Sequence, residues 1–375
     1  MKKILSFLMS STLILSSIGN SIACTSLVIT DAKGNAYKGR GWEFSVDTPA
    51  MLTYLPAGGK IESFTPSGAK GKVFETKHPI LGITLEVLPG VTRPLFLDAI
   101  NDQGLTMSIQ ALNNSSGPAV GNDNSKVMAV VDLGTWILGN FKTTAEVKTA
   151  LLSGDTQIWL PLIPVMGNVT SPMHYAFWDK SGNGIVLEFQ NGKMNVYDNP
   201  VNVMTNGPEF PWHLSNLNNY TFTNKDKNTG QLGKLKLATE DAGIALAGLP
   251  SAQTSQGRFV KAAFYANYVR KAKTPDDAVV TLGHIMNNFD RPYDLTVDGA
   301  GGVGDGPRTK SLSSESSRYM LMTDLARGRF YVRTIDALNW SIVDMNKLKG
   351  LTAVKTFPIA DIDKGTADPY TLFYK

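Results

Sequence analysis

The chain contains a single cysteine, Cys24, so no internal disulfide can form. What remains for Cys24 is a reactive thiol, an intermolecular bridge or an idle small residue. Charge is also sparse. Only 18% of the 375 residues are charged, the formal net charge is +4, and no block of like charges or Lys/Arg stripe interleaved with aromatics occurs. A nucleic-acid partner is therefore not expected. No apolar run reaches the ~18 residues needed to cross a bilayer. No His/Cys/Asp/Glu cluster has metal-ligand spacing, so neither a transmembrane segment nor a metal or other cofactor is expected. Repeats, low-complexity tracts and an obvious linker are missing too. With 42% hydrophobic residues, the chain reads as an ordinary globular protein with one domain over residues 24–375.

What is present begins with a leader. Met1-Lys2-Lys3 is a basic start, Ile4 to Ile18 is apolar and hydroxyl-rich, and Ser21-Ile22-Ala23 places small residues three and one positions before a cut. Residues 1–23 thus read as a signal peptide, which makes the protein exported, periplasmic or secreted. Cleavage there leaves Cys24 as the first residue. Such a cysteine carries its own base. An unperturbed α-amine titrates at about 7.7–8.0 and a free thiol at about 8.5, so the amine can take the thiol proton without a histidine. His78, His174, His213 and His284 stand in no recognisable cysteine-protease context and receive no role. The competing reading is a lipid-anchored binding protein with Cys24 lipidated. Lipoprotein leaders favour a Leu-like residue where Ser21 stands, and residues after Cys24 enter a strand rather than a tether.

Strand-like runs occupy 24–30, 36–44, 95–100, 105–112, 175–178, 185–190, 194–197, 319–323, 329–334 and 341–344, punctuated by Gly/Asn/Asp turns. Helical patterns occupy 126–141, 143–152 (Thr143 and Glu146 forming a capping box), 258–273 and the stretch from Pro275 to Asn288. Strands in blocks followed by helices in blocks predict antiparallel α+β layering. Gly299 to Gly304 matches G-x-G-x-x-G, but no helix follows, and it reads as a loop.

Separated motifs carry a family resemblance. Cys24-Thr25-Ser26-Leu27, Gly39-Arg40-Gly41-Trp42-Glu43-Phe44, Asn101-Asp102-Gln103-Gly104-Leu105, Val203 to Phe210 (Val-Met-Thr-Asn-Gly-Pro-Glu-Phe), and Leu249-Pro250 followed by Gly257 to Phe264 resemble, in order, motifs of the choloylglycine hydrolase family. That family includes bile salt hydrolases and penicillin V acylases. The resemblance covers nearly the whole chain after Cys24. It implies a four-layer αββα sandwich, the N-terminal nucleophile hydrolase fold, that hydrolyses a linear amide through an acyl-enzyme on Cys24.

Position by position, the resemblance implies that Cys24 is the nucleophile and its amine the base. Arg40 would lower the thiol pKa and donate to substrate; the alternative is an exposed strand arginine. Glu43 stands where the family usually has Asp and would hold the α-ammonium, the alternative being a solvated carboxylate. Asn206 would donate its amide to the oxyanion, or else simply belong to an Asn-Gly turn. A second oxyanion donor, a backbone N–H, maps near Ala111. Arg258 in a helix first turn opposes the macrodipole and suggests service to a site, unless the helix starts earlier, at Ser255. Trp42 and Phe44, two apart on a strand, share a face and line either the pocket or the core. The apolar segment from Ser153 to Tyr175, with Trp159, Leu160, Leu162, Ile163, Val165 and Met166, is either a pocket wall or a subunit contact. The implied partners are a small N-acyl amide substrate (penicillin V, N-acyl homoserine lactone or conjugated bile acid type) and further copies of the chain in a homotetramer.

Overall fold

The computed structural model describes residues 22–44, 50–85, 94–164, 168–221, 229–239, 241–298, 313–362 and 370–374. The leader up to residue 21, the segment Gly299–Gly304, and Val165 and Met166 lie outside the described residues.

Two antiparallel sheets stack face to face. The first has six strands, ordered Val203–Met204, β1 (Ile22–Thr30), β2 (Ala36–Phe44), Ser316–Asp324, Arg329–Thr334 and Ser341–Asp344. The second has eight, running from Lys193–Asp198 through Gly184–Gln190, Met173–Trp178, Thr106–Ala111, Leu95–Asn101, Ile80–Leu85 and Met51–Leu55 to Lys355–Pro358. Helices α1 (Leu133–Asn140) and α2 (Thr144–Leu152) pack on the outside of the eight-stranded sheet. A short α3 (Phe210–Asn216) follows the Val203–Met204 strand, and α4 (Ser255–Tyr268) and α5 (Pro275–Met286) cover the six-stranded sheet. The result is the αββα sandwich that the motifs implied.

The local chemistry explains much of this. Strands buried on both faces lose the polar/apolar alternation and read as continuous apolar runs; β2 is buried at all nine positions. Thr143 caps α2 by accepting from Glu146 N–H at 3.2 Å, while Glu146 Oε2 accepts from Lys142 N–H at 2.7 Å. Pro275 occupies the first turn of α5 behind the Thr274 cap. One expectation fails. Residues 126–141 are not one helix: Val127–Ala129 form a parallel bridge with Gln157–Trp159, a 3-10 turn follows, and only Leu133–Asn140 is α-helical. A run apolar all round does not distinguish a buried helix from a buried strand.

Candidate active site

The site sits at the edge of β1 and β2, where the six-stranded sheet faces the eight-stranded one. The register pairs Cys24 with Trp42, Ser26 with Arg40 and Val28 with Lys38. Directly paired residues share a face, so Cys24, Arg40 and Lys38 all point between the sheets. Arg40 is not an exposed strand arginine; it is fully buried. Its Nη2 lies 3.1 Å from Cys24 Sγ and donates to the Ile109 carbonyl at 2.8 Å. Its Nε donates to Asp98 Oδ2 at 3.0 Å, and Nη1 is buried without a hydrogen-bond partner among the described residues.

Asn206 reaches Cys24 from the neighbouring strand end. Its Oδ1 accepts from Cys24 N–H at 2.7 Å and from Arg258 Nη2 at 2.9 Å. Two donors on Oδ1 fix the amide's orientation and turn Nδ2 toward the Ala111 carbonyl, 3.2 Å away. Leu112 N–H donates to Pro172, so by strand alternation the N–H and C=O of Ala111 both point to the opposite edge, where Asn206 lies. Arg258 ties the same atoms from the other side. Its Nη1 donates to the Cys24 carbonyl and, at 2.8 Å, to Thr25 Oγ1, and Nε donates to the Gln253 carbonyl at 3.0 Å. The helix does start at Ser255, with Thr254 as its cap, so Arg258 stands at its fourth position rather than its first. Its two terminal nitrogens nevertheless serve the Cys24 region.

Glu43 is fully buried, which overturns the solvated reading. It lies on the helix-facing side of β2, paired in register with Ala23. A Cβ on Gly41 would fall 2.6 Å from Glu43 Oε1, so glycine is what leaves room for the carboxylate there. Neither Glu43 oxygen has a hydrogen-bond partner among the described residues. Burial pushes its carboxyl up, with the charges of Arg258, Arg291 and Arg40 opposing. Cys24 is 1% exposed with residues 22 and 23 continuing its strand. In that state burial pushes the thiol up to about 11 against the opposing pull of Arg40.

Trp42 and Phe44 are both buried. Trp42 stacks on Tyr319 at 5.2 Å and lies 5.3 Å from the Phe44 ring. Trp159 is not brought to this cluster: its ring meets Phe64 edge-on at 5.4 Å, and its indole N–H donates to the Phe64 carbonyl at 2.7 Å. Among the described residues no group of three or more His, Cys, Asp or Glu could hold a metal.

Four further groups escaped sequence reasoning. Asp98 anchors Arg40 and also accepts from Ser108 Oγ at 2.5 Å and Tyr319 OH at 2.6 Å. Burial would raise its carboxyl, but the charges of Arg40 and Lys38 and those two hydroxyls outweigh it and hold it low. His174 bridges Glu188 (Nδ1, 2.9 Å) and the Thr205 carbonyl (Nε2, 2.8 Å), and Glu188 also accepts from Phe210 N–H at 2.9 Å. His213 Nε2 meets the Asn206 carbonyl at 2.9 Å, and its ring stacks on Phe259 at 4.4 Å. Because a carbonyl only accepts, both Nε2 atoms carry the proton. Burial pulls His213 down to about 4, consistent with a neutral ring. Two histidines given no role thus brace the Thr205-Asn206 backbone. Their spacing in sequence carries no signal of this, because His174 reaches across from a strand of the other sheet and His213 turns back from α3.

Comparison with known proteins gives a consistent result. The family model described as linear amide C–N hydrolases, choloylglycine hydrolase family, matches residues 24–354. A bile salt hydrolase/transferase of Lactiplantibacillus plantarum is 30% identical over 331 residues, covering 86% of this chain and 92% of that protein. Among solved structures, a mutant conjugated bile acid hydrolase from Clostridium perfringens superposes with a TM-score of 0.73 at 25% identity, covering 89% of this chain and 96% of that one. A penicillin V acylase from Agrobacterium tumefaciens shares the fold with a TM-score of 0.68 at 22% identity, covering 89% and 91%.

Proposed function

The chain belongs to the choloylglycine hydrolase family of linear amide C–N hydrolases, and from that premise we propose that it is exported, loses residues 1–23, and works through Cys24 as an N-terminal nucleophile. The observation that carries this reading is the convergence of three independent elements on one residue. Arg40 from β2 lies 3.1 Å from its sulfur, Asn206 accepts its N–H at 2.7 Å, and Arg258 from α4 bonds its carbonyl. The family match beginning at residue 24 supports the processing site.

In this mechanism the α-amine takes the thiol proton and Sγ attacks the amide carbon. The oxyanion receives hydrogen bonds from Asn206 Nδ2 and the Ala111 N–H, positions where each donor contributes on the order of 10²–10³ in rate. The C–N bond breaks as the ammonium returns its proton to the leaving amine. Water, deprotonated by the same amine, then attacks the thioester and releases the acid with Cys24 restored. Glu43 holds the ammonium. The substrate pairs an apolar acyl group with a polar amine, of the penicillin V, N-acyl homoserine lactone or conjugated bile acid kind. Trp42 and Phe44 border the nucleophile on the substrate side, and Trp159 keeps only an indirect part.

Lipidation of Cys24 is disfavoured by its place inside a buried strand. Self-assembly is favoured by the hairpin of strands Thr229–Leu232 and Leu235–Ala238, which exposes Leu232, Leu235 and Leu237 to solvent. A second copy of the chain is the occupant we assign to that apolar tip.

The test is intact-mass analysis of exported protein together with amine release from the three substrate types. The expected result is a mature chain beginning at Cys24, with Cys24→Ser folded and nearly inactive. A mature chain beginning elsewhere, or full activity in processed Cys24→Ser, overturns the reading.

A further inference from the structure

Lys38 is a fully buried lysine two residues before Arg40 on the same face of β2. A buried ammonium is costly unless every proton finds an acceptor. Here all three do. Nζ lies 2.7 Å from the Met107 carbonyl, 2.9 Å from Ser108 Oγ and 3.3 Å from Asp98 Oδ1. The other oxygen of Asp98 takes Arg40 Nε. One carboxylate therefore serves two cations. The titratable groups facing this cluster are Tyr319, which donates to Asp98, and Cys24, with Glu43 and Arg258 acting from the helix side.

The charge count is the point. With Asp98 and Arg40 alone, the guanidinium would be neutralised by its carboxylate, and a thiolate beside it would be an uncompensated buried anion. With Lys38 added, the trio carries one net positive charge, which a thiolate on Cys24 cancels. We propose that Lys38 is a positioning residue of this hydrolase: by occupying one oxygen of Asp98 it leaves the Arg40 charge available to the Cys24 sulfur and so sets how readily that sulfur ionises. Burial pulls Lys38 down to about 8, with Asp98 opposing, so the device itself weakens as the solution becomes alkaline.

The consequence for turnover rests on Cys24 being the nucleophile, but the ionisation of the sulfur is measurable without it. Cys24 is the only cysteine, so the pH dependence of iodoacetamide alkylation of the purified exported protein reads that one thiol. In Lys38→Met the alkylation midpoint should move up by about one pH unit, a roughly tenfold loss of thiolate at fixed neutral pH. Amide hydrolysis should lose kcat rather than gain KM, and Lys38→Arg should restore both in part. A folded Lys38→Met with the wild-type alkylation profile overturns the proposal. A shifted alkylation profile with unchanged hydrolysis would instead overturn the role of Cys24 and leave the electrostatic inference standing.

Should Lys38→Met fail to fold, the comparison becomes Asp98→Asn against Lys38→Met/Asp98→Asn, in which Lys38 and Asp98 are removed together and Arg40 is left as the one buried cation of the trio, the same net charge as in the wild type. Asp98→Asn leaves two cations and should lower the alkylation midpoint. The double variant leaves one and should return it upward by about a pH unit. Equal midpoints in the two overturn the proposal.

Discussion

Ala23 pairs across the sheet with Glu43, a buried carboxylate with no hydrogen-bond partner among the described residues. Extending the chain through Ala23 keeps a neutral peptide where a chain ending at Cys24 would place an ammonium. In the uncleaved chain burial raises that carboxyl, and only the charges of Arg258, Arg291 and Arg40 oppose it. Under the cleavage proposed above, that cost in the precursor would become an ion pair with the ammonium of Cys24.

The first prediction follows from the sign of that cost. Burial raises the carboxyl of Glu43 in the folded precursor above its ordinary value near 4.5. The folded state then binds more protons than the unfolded state above that pH, so its stability falls as pH rises through the window. In leader-retaining protein, Glu43→Gln should melt with wild type at low pH and progressively above it toward neutrality. Processed protein should show the difference shrink or reverse, because the ammonium now pairs with the carboxylate. Melting curves of both forms between acid and neutral pH check this, and a precursor difference independent of pH would sink it.

Asn206 combines two tasks that a single substitution can separate. Asn206→Asp keeps an oxygen for Cys24 N–H and Arg258 Nη2 but removes the Nδ2 donor. If Nδ2 serves the oxyanion, kcat should drop by about 10²–10³ with little change in melting temperature or KM. Steady-state kinetics within a few-fold of wild type would move the oxyanion site elsewhere.

His174 supports the same segment from beneath. His174→Phe fills the space but strands the Thr205 carbonyl, at about 1–3 kcal/mol, and leaves Glu188 Oε1 with Phe210 N–H as its remaining donor. The expected outcome is a clear loss of thermal stability and, in the folded fraction, a reduced kcat as Thr205-Asn206 loses its fixed position. Unchanged melting and turnover together would show that the hydrogen bonds at 2.9 and 2.8 Å carry no weight.

How far the sequence could be read follows a physical rule. Turns such as Asn101-Asp102-Gln103-Gly104 act locally, and Gly104 has φ of 83°, so hairpins could be placed from residues alone. Cys24, Arg40, Asn206 and Arg258 were found because motifs surround them. Asp98, Lys38 and Tyr319 were not, because their meaning depends on which strand of one sheet lies over which strand of the other. No local periodicity encodes that overlay. The same holds for Trp159, a residue of the right chemistry that packs on Phe64 instead. Glu43 was identified by motif, yet its burial could not be foreseen from a strand end next to Phe44.

Arg258 gives the most discriminating substitution. Its guanidinium bonds the Cys24 carbonyl, Thr25 Oγ1, Asn206 Oδ1 and the Gln253 carbonyl at once. A lysine would keep the positive charge but offers a point donor in place of a planar fork. If Arg258 acts only through its field, Arg258→Lys should leave the alkylation midpoint of Cys24 and the rate nearly unchanged. If it acts by holding β1 and Asn206 in register with each other, the midpoint should barely move while kcat falls by about tenfold or more, since small displacements of reacting groups cost that much. We expect the second outcome, because the four acceptors belong to four separate residues that only a fork can span. Stability should fall by about 1–3 kcal/mol as Thr25 Oγ1 loses its donor, while the Gln253 carbonyl keeps Arg291 Nη2. Measuring the midpoint, kcat and melting on one preparation separates the two roles, and a wild-type kcat in Arg258→Lys would reduce Arg258 to a buried charge.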